Sequence, residues 1–217
     1  MRTTIALKAL MAVTGIVMLA FLVLHMLGNL KIFFGPEDFN AYSHWLRTLL
    51  IPFLHYGWFL WILRVVLVVS VVGHIGSAIV LTKRDRAARP VRYRHAPPAS
   101  STYATRTLRY GGAILALFVV FHILDLTTGD ANPHFTEGHP YQNLTASFDR
   151  WYVAVFYMLA VVLLGLHVQH GLRSAARTLG VAAGRQRAFA ALGTALAAVL
   201  TAGFLSVPVA VLAGAVS

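Results

Sequence analysis

Residues 57–82 read GWFLWILRVVLVVSVVGHIGSAIVLT, a run in which Arg64 and His74 are the only titratable side chains. A hydrocarbon layer about 30 Å thick is crossed by about 20 helical residues, and this run exceeds that length. Backbone in lipid has to satisfy its own hydrogen bonds, so the run predicts a transmembrane helix. His74 gives the helix a purpose. An ionisable side chain deep in hydrocarbon is costly to keep and marks a functional site by default.

Four further stretches share this character, at roughly 9–34, 110–128, 151–172 and 188–213. The expectation is an all-α fold: a single membrane domain over 1–217, built as a bundle of five transmembrane helices. The composition agrees. The 217 residues are 58% hydrophobic with 12% charged, and the mean hydropathy is +0.71, values that exclude an ordinary soluble domain. There are no cysteines, which excludes disulfides, thioether-attached haem and a cysteine-ligated iron–sulfur cluster in this chain. The first apolar stretch is too long for a signal peptide and reads as a retained span. The last carries no titratable residue and reads as a packing helix of small residues.

The net charge of +11 has a membrane explanation, not a nucleic-acid one. Lys83, Arg84, Arg86, Arg89, Arg92, Arg94, Arg106 and Arg109 fill the second connection; Arg173, Arg177, Arg185 and Arg187 fill the fourth. Arg2 and Lys8 precede or open the first span. The positive-inside rule puts these segments and the N-terminus in the cytoplasm, and five spans then put the C-terminus outside. Residues 36–50 carry Phe39, Tyr42, Trp45 and Leu46 at helical spacing, predicting a short amphipathic helix on the outer surface. Residues 89–102 are polar and contain prolines, predicting an irregular loop.

His25, His74, His122 and His167 each lie in a different one of the first four spans. At about 1.5 Å of rise per residue, His74 and His167 both lie roughly 10 Å from the cytoplasmic boundary, while His25 and His122 lie in the outer half. Depth therefore pairs His74 with His167, and His25 with His122. Each pair can clamp one b-type haem iron from opposite sides. Two axial histidines leave no open iron position, which suits electron transfer better than oxygen chemistry. Small residues surround these histidines: Gly28 after His25; Gly73, Gly76, Ser77 and Ala78 around His74; Gly165 and Gly171 around His167. They permit close approach by a flat macrocycle, and equally by a neighbouring helix.

Two local patterns carry a resemblance. Leu24-His25-Met26-Leu27-Gly28-Asn29-Leu30, with Phe34-Gly35-Pro36-Glu37 and Phe39-Asn40-Ala41-Tyr42-Ser43-His44, resembles the first span and following loop of the single-chain, five-helix, dihaem cytochrome b anchors of succinate dehydrogenases and fumarate reductases. Leu166-His167-Val168-Gln169-His170-Gly171-Leu172-Arg173-Ser174-Ala175, followed by Thr178-Leu179-Gly180, resembles their fourth span. The resemblance implies a multi-pass subunit of the bacterial cytoplasmic membrane. It would anchor a flavoprotein and an iron–sulfur subunit at the cytoplasmic face and pass electrons between them and a quinone, typically menaquinone. It also implies the same ligand pairs, with His74/His167 nearer the iron–sulfur subunit. A higher oligomer is compatible with it. Some members carry intramembrane glutamates for proton passage. Here the only glutamates, Glu37 and Glu137, lie in outer loops, so that route does not transfer.

Other polar residues are candidates for contacts with haem propionates or quinone. Arg64 lies near the depth of the outer pair, and a guanidinium binds carboxylate bidentately. Asp125, one turn beyond His122 on the same face, is expected to pair with Arg64 or to take a proton at a quinone site. His44, His55 and Tyr56 lie at the outer boundary, alongside the interfacial anchors Trp45, Trp58 and Trp61. His170 is a rival to His167 as ligand, read as a propionate or subunit contact. His95, His134 and His139 are loop residues with no assigned role. The chain has no soluble domain to hold flavin, so succinate itself would react on another subunit. Two alternatives stay open: the haem b anchor of another respiratory dehydrogenase, and a haem-free transporter using the histidines as a proton relay.

Overall fold

A computed structural model describes residues 3–88 and 99–217, with side chains described throughout except at 99–107 and 183. The described residues are mostly helical, and none of them forms a strand. Among them seven α-helices follow one another: α1 (Thr4–Asn29), α2 (Pro36–Thr48), α3 (Trp58–Ala87), α4 (Ala99–Ile123), α5 (Pro140–Phe148), α6 (Trp151–Thr178) and α7 (Gln186–Leu212). Among the described residues five helical segments are long and apolar enough to cross a membrane: Thr4–Phe34, Trp58–Ala87, Leu108–Thr128, Trp151–Thr178 and Gln186–Leu212. The chain is an all-α, multi-pass membrane protein.

Several helices run past the apolar stretches that announce them, because composition marks where hydrocarbon ends and not where the hydrogen-bond ladder ends. α1 starts at Thr4, where the Thr3 hydroxyl accepts from the Ala6 N–H at 3.2 Å, satisfying one of the orphan donors of a helix start. α3 continues through Lys83, Arg84 and Arg86 to Ala87. The irregular loop expected at 89–102 falls outside the described residues over 89–98. From Ala99 the chain is already helical, which corrects the last part of that expectation.

α6 touches α1, α4 and α7, and α1 also packs on α3 and α7. Small residues set the closest approaches. A side-chain carbon at Gly165 would collide with Thr201 of α7, and one at Gly203 with Met26 of α1. Gly165 is thus a helix-packing glycine rather than space beside His167.

One end of the bundle is basic, carrying Lys83, Arg84, Arg86, Arg173 and Arg177; there Arg109 of α4 bridges Asp85 of α3 at 3.0 Å. The other end is capped by α2 and α5. The amphipathic helix expected at 36–50 is α2, opened by Pro36 with Glu37 and Asp38 in its first turn, where carboxylates favour the helix dipole. α5 was not anticipated. It docks on α2 through Asn40, which donates from Nδ2 to Gln142 Oε1 at 3.2 Å and accepts from the Tyr141 N–H at 3.1 Å. Under this cap lies the larger apolar cluster, including Ile32, Phe39, Leu144, Phe148, Tyr157 and Val211.

Candidate functional site

The four membrane histidines meet in two pairs. The rings of His74 (α3) and His167 (α6) have centroids 6.3 Å apart and planes at 59°. Those of His25 (α1) and His122 (α4) are 5.9 Å apart and nearly perpendicular, at 87°. The register is simple: His74 and His167 each lie sixteen residues past their helix starts at Trp58 and Trp151 (74 − 58 and 167 − 151). Both helices start at the capped end, so this pair lies toward the basic end. His25 and His122 lie near the C-termini of α1 and α4, toward the cap.

These spacings fit a shared iron. A metal–imidazole nitrogen bond of about 2.0 Å on each side places the two ring centroids about 6 Å apart. Other atoms of the pairs also fit a ligand. Nδ1 of His122, Nδ1 of His167 and Oγ of Ser77, one turn along α3 from His74, are buried without a hydrogen-bond partner. Buried polar atoms are normally paired. Among the described residues no group of three or more His, Cys, Asp or Glu side chains is placed to hold a bare metal ion. Two histidines alone suit a metal whose remaining ligands come from a macrocycle.

In the pair toward the basic end, His74 has a hydrogen-bond partner that fixes its tautomer. His74 Nδ1 lies 3.0 Å from the Met11 carbonyl and 3.4 Å from the Thr14 hydroxyl. A carbonyl only accepts, so Nδ1 carries the proton and the neutral ring offers its Nε2 lone pair. Such a bond on the far nitrogen orients a ligating imidazole and raises its basicity. Two glycines let the rings lie against opposite helices. A Cβ at Gly15 of α1 would come within 3.3 Å of His74 Cε1, and one at Gly112 of α4 within 3.4 Å of His167 Cε1. Sequence reasoning missed both, because neither is adjacent in sequence to the histidine it faces.

The pair toward the cap sits in aromatic surroundings. His25 stacks on Phe21 at 5.1 Å and contacts Phe204; His122 contacts Phe118 and Tyr157 at 5.9 and 5.8 Å. Beside it is a buried ionic knot. Asp125, in a π-helical turn (Leu124–Thr128) that continues α4, is fully buried. Its Oδ1 accepts from Arg150 at 2.6 Å, and its Oδ2 from the hydroxyls of Ser147 at 2.5 Å and Tyr157 at 2.8 Å. Arg150 also donates to the Ala131 carbonyl at 2.9 Å. The Asp125 counter-ion is therefore Arg150, correcting the expected pairing with Arg64. The physical reason is register: Asp125 faces the bundle interior, whereas Arg64 is exposed on α3 and lies over the Trp61 ring at 4.9 Å. Arg150, Ser147 and Tyr157 had not been singled out. The available signal was that an acid inside a span needs a cation at its own depth, and Arg150 stands at the start of α6, at the same end.

Of the remaining candidates, His44 and Tyr56 come together at the capped end with ring centroids 6.1 Å apart, both exposed. His55 lies on Trp58 at 5.7 Å. His170 follows His167 by one turn of α6. A cleft of about 420 Å³ opens near the capped end, lined by Phe121, Ala131, Arg150, Tyr152, Val153 and Phe156.

The family model of the succinate dehydrogenase/fumarate reductase transmembrane subunit matches residues 82–202, more than half of the chain. Comparison with curated proteins and with solved structures gives no match.

Proposed function

This chain belongs to the succinate dehydrogenase/fumarate reductase transmembrane subunit family, and on that premise we propose that it is a dihaem b anchor relaying electrons between an iron–sulfur subunit and membrane quinone. The family is the membrane anchor of an enzyme complex with soluble flavoprotein and iron–sulfur subunits, and it usually binds haem b and quinone. The finer reading rests on one observation: four spans bring four histidines into two facing pairs, at 6.3 and 5.9 Å. Bound between such a pair, a haem supplies reversible one-electron transfer at a closed iron. His74 and His167 would hold one, and His25 and His122 the other.

The basic end supports a cytoplasmic placement for the His74/His167 pair, beside the iron–sulfur partner. The His25/His122 pair then faces outward. Electrons moving between the two pairs work with or against the membrane potential, at about 2.3 kcal/mol per charge per 100 mV. The cleft by Arg150 supports a quinone position near the outer pair. Its aromatic walls suit a quinone ring and its guanidinium a ring carbonyl. Arg64, His44, His55 and Tyr56 share that end of the bundle and are retained as contacts for quinone or propionate. Menaquinone as the quinone, and the bacterial cytoplasmic membrane as the location, follow from the family resemblance.

The reduced-minus-oxidised spectrum of the purified chain tests the reading. Two b-type components with distinct midpoint potentials are expected. A chain without b-type absorbance is not an electron relay of this kind, and the haem-free histidine relay replaces it.

A further inference from the structure

The knot around Asp125 has a directional geometry. Three donors converge on one fully buried carboxylate from different elements: Ser147 at the end of α5, Arg150 just before α6 and Tyr157 within α6. Only Tyr157 also reaches a membrane histidine. Its ring meets His122 at 5.8 Å and 63°, while its hydroxyl donates to Asp125 at 2.8 Å. Phe118 and Phe148 hold the remaining edges of that ring at 5.0 and 4.9 Å. His122 has no hydrogen bond on Nδ1 to fix its rotation, in contrast to His74 with its Met11 carbonyl.

We infer that Asp125 and Tyr157 are positioning residues for the outer haem: Asp125 anchors the Tyr157 hydroxyl, and the Tyr157 ring sets the plane of His122. The inference rests on the dihaem reading. It assigns Asp125 neither a proton to carry nor a quinone to touch. Its two oxygens are already taken by three donors, and a buried carboxylate so paired serves best as a fixed anchor. The ring plane matters because the angle between two axial imidazoles governs the electronic state of a low-spin ferric iron. The near-perpendicular arrangement of His25 and His122 is what the anchor would maintain.

The test uses the complete complex and electron paramagnetic resonance. The lowest-field g value of each low-spin ferric haem reports the angle between its axial imidazole planes, and His25→Ala identifies the outer signal by its loss. Tyr157→Phe is expected to move the outer g value with both haems retained, and Asp125→Asn to move it at least as far. The inner signal is expected to stay in place in both. Ser147→Ala removes a hydrogen bond from the same carboxylate without touching the path to His122, and is expected to leave the outer signal unmoved. An outer signal unmoved in Tyr157→Phe overturns the inference. So does an equal shift in Ser147→Ala, which would mean general loosening of the cap. A wild-type complex with fewer than two low-spin signals overturns the dihaem reading and this inference with it. Two wild-type signals with an unmoved variant overturn the inference alone.

Discussion

The two histidine pairs use the same side chains at similar spacing, yet they are held by opposite means. His74 is oriented by one backbone carbonyl, and its pair lies against the glycines Gly15 and Gly112. The Thr14 hydroxyl and the buried Ser77 hydroxyl are further polar groups near His74. His25 and His122 have no such bond; they are packed by Phe21, Phe118, Phe204 and Tyr157, next to a buried ion pair. Two pairs of identical side chains are thus given different surroundings by the helices around them. A hydrogen bond on the far ring nitrogen strengthens ligand basicity, whereas aromatic packing and burial act on dielectric and orientation. Two haems so placed would differ in potential.

The largest effect should come from removing a ligand. His74→Ala or His167→Ala is expected to abolish the inner component and leave the outer one, and His25→Ala or His122→Ala the reverse. Haem content would fall from two to one per chain, read as a pyridine haemochrome against protein. Loss of the opposite component in either case would break the pairing. Next comes Arg150→Ala, which strands Asp125 as an uncompensated buried charge. Removing one partner of such a pair costs about 3–5 kcal/mol, so thermal unfolding in detergent should drop markedly, with the outer component lost before the inner.

A smaller, opposite asymmetry is expected from Gly112→Leu. The added side chain would press on His167, and overpacking costs about 1–3 kcal/mol. The inner spectral component should shift or weaken while the outer one stays, as seen in low-temperature difference spectra. The smallest effect is expected from Arg64→Leu. An exposed side chain outside any buried network changes stability by about 0.5 kcal/mol or less, so both spectral components should persist. Loss of the outer component in that variant would make Arg64 a propionate ligand and sharpen the contrast between the two ends.

Much of this was legible in the sequence. Five apolar runs predict five spans because lipid leaves a single-chain helical segment few alternatives. The four histidines could be ranked by depth because helical rise is constant, and the rings that depth pairs are the rings that meet. The amphipathic α2 was visible from its period. Less legible was everything that depends on which faces of different helices touch. Asp125 was expected either to pair with Arg64 or to take a proton at a quinone site; the pairing rested on a similar depth, but depth is one coordinate and an ion pair needs three. Gly165 was read as permitting the approach of a macrocycle or of a neighbouring helix, and it is α7 that approaches. Gly15 and Gly112 were passed over, since each matters only to a histidine far away in the chain. α5 escaped notice because nine residues, Pro140–Phe148, are too few for a clear period within a polar connection.

Hydrophobic run length and helical rise act along one axis, so the order of amino acids alone sets the spans and the depth of each histidine. The rotation of each helix about that axis is settled only when the helices pack together. That rotation turned His74 onto the Met11 carbonyl, buried Asp125 among Arg150, Ser147 and Tyr157, and left Arg64 facing outward. Rotation is set by the mutual packing of side chains from several helices, and no single segment contains that information.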